Sequence, residues 1–234
     1  MAPNMIRETA IAPDGSRVTF ACRADRVQDG WHWHMRLTSK TLAISAAVAV
    51  ADYFDHAVRT GRYRAYEEIS YTGRPLVLGL NDTNTAWLAA WKSTHHCLAF
   101  GGLAPAPSLT SLVDILAQLS IVDRPDGMTV RPLPGSGIIT WGLSAIRFAD
   151  AGMVTIFRRT EASQLLPPDG GLRVEHGQVW SKKLETESGT RDRKFLHAGD
   201  TAVCTIEDDL GRDPAVTKAG QEELLSSLDV RWAG

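Results

Sequence analysis

The chain has 234 residues, 44% hydrophobic and 22% charged, with 25 Lys and Arg set against 27 Asp and Glu. That composition supports a sizeable core and excludes chain-wide disorder. The near-neutral balance, with no basic stripe, excludes the electrostatic footprint of a dedicated nucleic-acid binder.

Near the N-terminus, "MIRETAI" and "SRVTFACRA" read as strands around the Pro-Asp-Gly turn of "APDGS". "WHWHMRLT" (Trp31 to Thr38) is a third strand. Alternation puts Trp31, Trp33, Met35 and Leu37 on one apolar face and His32, His34, Arg36 and Thr38 on the other. Two histidines at i and i+2 on one strand face can share a metal ion, but Arg36 continues that face and "MRLTSK" offers no carboxylate. The expectation is no metal site, and a polar face that becomes a ligand contact only where it meets a cavity.

The Ala-rich stretch from Thr41 to Thr60 predicts a long central helix packed on a sheet. Ile44, Ala47, Val48, Ala51, Phe54 and Val58 fall on one side of it. The pair Asp52/His56 and the adjacent Asp55 make His56 a candidate acid/base. After strands at "RYRAYEEISY" and "PLVLGL", a second helix is predicted from about Asp82 to Gly101. On it Trp87, Trp91 and His95 form a buried stripe, with His95 as candidate base and the tryptophans as candidate ligand contacts. A third helix starts at Ser108 and stops before "DRPDG". From Met128 onward a β-meander is expected, closed by the helix "QEELLSSLDV". Trp232, close behind that helix, gains little unless it docks, either on its own domain or on a neighbouring subunit.

Cys22, Cys97 and Cys204 are widely separated and outside any CxxC spacing, which argues against a disulfide framework and for a reducing, cytoplasmic setting. No signal-peptide pattern opens the sequence, and its most apolar run is too short to span a bilayer. The phosphate-loop, HExxH and GxSxG motifs are missing from it.

The expected fold is therefore α+β: largely antiparallel sheets, about four helices, the Ala-rich one central. The alternative is a hot-dog-like helix wrapped by a sheet. One domain over 1–234 is expected, with a sub-domain boundary at 123–127. The favoured function is a non-catalytic binding or assembly module for a partner protein or an apolar small ligand, with self-association into a homo-oligomer as a further expectation and no cofactor, nucleic acid or membrane. The alternative is a cofactor-independent enzyme with His95, His56 and Asp55 as acid/base groups and Trp87, Trp91, His32, His34 and Arg36 lining its site.

Overall fold

A computed structural model describes residues 5–24, 27–40, 43–185, 191–207 and 214–234. Among them, strands dominate and the helices are short. In chain order they are β1 (Met5–Ile11), β2 (Arg17–Arg23), β3 (Val27–Thr38), β4 (Ala43–Val50), α1 (Tyr53–Arg59), β5 (Arg64–Tyr71), β6 (Arg74–Leu80), β7 (Ala86–Lys92), β8 (His96–Leu103) and α2 (Leu109–Leu116). There follow β9 (Leu119–Arg124), β10 (Gly127–Pro132), β11 (Ile139–Phe148), β12 (Gly152–Arg158), α3 (Arg159–Ala162), β13 (Leu172–Val174), β14 (Gly177–Glu185), β15 (Arg191–Ala198), β16 (Ala202–Glu207), α4 (Lys218–Ser227) and β17 (Asp229–Ala233). The chain divides into two compact units. The first holds Met1–Ala10, Ser16–Trp31 and Leu143–Gly234; the second holds Ile11–Gly15 and His32–Gly142.

In the second unit six strands pair antiparallel in the order β3–β4–β8–β7–β6–β5. Register aligns one apolar row across them: Trp33, Val48, Leu98, Trp91 and Leu76 are successive cross-strand partners. All five are buried, and each large side chain removed from water in this way contributes about 2 kcal/mol. On β3 the alternation expected from the sequence holds, with Trp33, Met35 and Leu37 buried and His32, His34 and Arg36 exposed.

Two expected helices are corrected. The first, Thr41–Thr60, becomes a central strand, β4, and the seven-residue α1; positions 41 and 42 lie outside the described residues. No long Ala-rich helix forms, and the hot-dog-like alternative loses the helix it requires. Alanine carries no side-chain period of its own, so the run fits helix and strand alike. What decides is Ile44, Ala46 and Val48 alternating into the core. The small residues do serve close approach, in another element: Phe54 and Ala57 of α1 pack onto Ala49, Ala90, Cys97 and Ala99 of the sheet.

The second correction replaces the helix of 82–101 by the hairpin β7–β8. Trp87 and Trp91 are four apart, and four is close to a helical turn and also a multiple of two. Their shared face is the same in either structure. By contrast α2 starts where expected, with the Ser108 hydroxyl accepting from the Ser111 N–H at 3.1 Å. The segment "DRPDG", with the possible boundary at 123–127, is the turn of the β9–β10 hairpin within the second unit.

The first unit holds the sheet β13–β14–β15–β16–β12–β11 and the smaller β1–β2–β17, both antiparallel where the register is given. The C-terminal helix is present as α4, capped by Thr217, whose hydroxyl accepts from the Gly220 N–H. The last residues expected in that helix instead lead into β17. There Trp232 docks within its own unit. Its indole N–H donates to Ser16 Oγ at 2.6 Å and the Arg158 guanidinium stands 5.6 Å from its ring centre.

Candidate functional site

The residues singled out in the sequence are not gathered into one acid/base centre. His95 is exposed rather than buried. It lies in the Ser93–His95 turn, closed by the Ser93 N–H donating to the His96 carbonyl at 3.0 Å. That turn has no Gly, Pro, Asn or Asp to announce it. His56 is exposed on the last turn of α1. Asp55 pairs with Lys92 at 2.7 Å, and Asp52 pairs with Arg59 rather than with His56. Trp87 and Trp91 are core residues whose indole N–H groups donate to the Leu103 and Tyr71 carbonyls at 3.0 and 3.2 Å.

His32, His34 and Arg36 share the outer face of β3, as alternation requires. The His34 pKa is lowered, by partial burial first and then by His32 beside it. Among the described residues no group of three or more His, Cys, Asp or Glu side chains is placed to hold a metal ion. No helix among them is long and apolar enough to cross a membrane.

A different carboxylate–imidazole pair forms at the β7–β8 turn. Asp123 Oδ1 sits 2.8 Å from His96 Nδ1, and Oδ2 accepts the His95 backbone N–H at 2.8 Å. The Asp123 side chain is only 6% exposed. Burial alone would raise its pKa, but hydrogen bonds from the His95 backbone and the His96 and Ser93 side chains outweigh burial and hold it below the usual carboxylate range. Sequence gave no sign of this pair, because 27 positions and an unrecognised hairpin separate its members.

The cysteines are buried and protonated. Burial pushes the Cys22 and Cys97 thiols up to about 12, against the lowering effect of Lys92 in the case of Cys97. Burial likewise raises Cys204. The Cys97 thiol donates to the Val50 carbonyl. A thiolate nucleophile is thus disfavoured at all three. A disulfide-exchange reagent at pH 8 should label none of the three within minutes in the native protein and all three in guanidinium. Fast native labelling would show that this burial is wrong.

Among the described residues, the first unit contains a cavity suited to a small ligand. It is an apolar groove of about 300 Å³ formed by Leu172 and Val174 of β13, Val179 of β14, Phe195 of β15 and Leu225 of α4. Leu172 is 75% exposed, a large apolar side chain held open to solvent. The groove exists because strand alternation turns these four sheet residues to one face, while α4 packs on β13 and closes one side.

Comparison of the chain with protein-family models, curated proteins and solved structures finds no match.

Beside this groove lies His197, which has no solvent exposure and, among the described residues, no hydrogen-bond partner for either ring nitrogen. It is the cross-strand partner of Val179 and stands two residues from Phe195, so it shares their face of the sheet. Burial, and then the neighbouring His176, lower its pKa to about 4, with Asp229 opposing. At neutral pH His197 is an uncharged imidazole, with one N–H to give and one lone pair to receive. A more polar cleft of about 540 Å³ lies around Asp229, Thr201 and Trp232, but the Asp229 carboxylate there is already held by Arg231 at 3.0 and 3.3 Å.

Proposed function

We propose that the protein is a non-catalytic binding module whose first unit takes a small apolar ligand between β13–β15 and α4. The observation that carries this reading is the groove itself, lined mainly by apolar side chains, with Leu172 among them held open to solvent. Small-ligand sites are concave and mainly apolar, with few polar groups. At about 300 Å³ the groove lies at the small end of the range of small-ligand pockets. That suits a small molecule and is too little for a helical segment of a partner protein.

The uncharged dye Nile red should therefore bind saturably, one per chain, with a rise in fluorescence. Leu225→Asp, which places a carboxylate in the groove, should weaken binding at least tenfold. Absence of saturable binding to the wild-type protein would overturn the reading.

The alternative, a cofactor-independent acid/base enzyme, draws support from one observation, the carboxylate that orients an imidazole at the β7–β8 turn. In that reading the base is His96, not His95. The hydrogen bonds that converge on Asp123 give the pair a sufficient structural role, fastening the β7–β8 turn to β9.

A further inference from the structure

Resting on the groove as a ligand site, we infer that its ligand is amphipathic, an apolar body carrying one uncharged hydroxyl-type head that hydrogen-bonds to His197. Three observations converge. First, a buried imidazole with neither nitrogen paired is a costly arrangement in an apolar layer, and a polar group arriving with a ligand relieves it. Second, register places His197 directly against the groove wall, between its cross-strand partner Val179 and its same-face neighbour Phe195. Third, the groove lining itself is apolar apart from two serines and Glu222, so the body of the ligand contributes burial and little else.

The charge of the head follows from its surroundings. His197 is neutral at pH 7 and cannot offset a carboxylate brought in from water. Glu222 at the groove and Asp229 near His197 add negative charge, which repels an anionic head further. His176 is the other titratable group acting on His197, and by lowering its pKa it helps keep the ring uncharged. An ammonium head can only donate. A hydroxyl both donates and accepts, and so fits either tautomer of the ring. Reaching His197 requires Val179 or Phe195 to give way by a rotamer change, because the ring itself has no exposed surface.

The test displaces bound Nile red with three compounds of one chain length: octan-1-ol, octanoate and 1-chlorooctane. Octanol is less hydrophobic than chlorooctane, so burial alone ranks chlorooctane first. The wild-type protein is expected to bind octanol at least tenfold more tightly than either of the others. In His197→Leu that preference should shrink to within about twofold. In ¹⁵N-histidine-labelled protein, saturation with octanol should shift the His197 ring nitrogens. Equal preference in wild type and His197→Leu, or chlorooctane ranked first in both, would overturn the hydroxyl head and leave the groove reading standing. No saturable Nile red binding at all is the separate failure of the groove reading.

Discussion

Lowering the pH from 7 to 4 is expected to cost the protein about 3 kcal/mol of stability through His197 alone. The imidazole titrates near 6.5 in the unfolded chain and at about 4 in the native one. Above pH 6.5 it is neutral in both states and contributes no pH dependence. Between 6.5 and 4 the unfolded chain takes up a proton that the native protein refuses, so stability falls as the pH falls. Below 4 both states are protonated and the loss levels off. At 1.36 kcal/mol per pKa unit, the full window amounts to about 3 kcal/mol.

His197→Leu should remove this acid dependence. It should also stabilise the protein at pH 7 by about 1 kcal/mol, because it replaces an unsatisfied buried polar group with an apolar one of similar size. Denaturant melts of both proteins at half-unit pH intervals make the comparison. Parallel curves for wild type and variant between pH 6.5 and 4 would show that His197 is not the buried neutral base described.

Asp123→Ala should destabilise the second unit by about 3 kcal/mol, the cost of losing several hydrogen bonds to one nearly buried charge. For a chain of this size the thermal midpoint should fall by about 6–12 °C. Asp123→Asn, which keeps the shape and loses the charge, should cost less. The sign with pH is opposite in origin to that of His197. A carboxyl held below its usual range stabilises the fold while ionised. That contribution is complete above the unfolded pKa of about 4 and is lost as pH falls through the lowered native value. The two groups therefore act in adjoining windows, His197 above pH 4 and Asp123 below it. An Asp123→Ala protein that melts with the wild type would remove the structural role and strengthen the acid/base alternative.

Where the sequence alternated strictly, it was legible. "WHWHMRLT" declared its buried and exposed faces because Trp and His cannot exchange sides without cost. The meander beyond residue 128 was readable from turns rich in Gly and Pro. The Ala run of 43–50 was not readable, because its residues satisfy two periods equally and neighbouring strands choose between them. Trp87 and Trp91 were correctly taken as buried but given to the wrong element, their spacing of four being common to both. His95 was misplaced with them, since nothing in "KSTHH" announces a reversal of the chain. Neither the Asp123 pair nor the groove was legible. Each joins residues brought together only by strand pairing or by a helix that arrives some 30 positions later.

The order of strands along the chain also sets the order in which the units are finished during synthesis. Every residue paired within the second unit's sheet lies between His32 and Gly142, and each strand pairs with a near neighbour in sequence, apart from β4 with β8. The first unit draws β2 from the beginning and β17 from the far end, and the Ser16–Trp232 hydrogen bond closes a separation of 216 residues. The ribosome therefore supplies the whole second unit while β2 still lacks its β17 neighbour, and contacts so distant are the slow ones to form. A chain halted anywhere before Asp229 leaves the β17 side of β2 without its strand, an open edge ready to pair with another polypeptide.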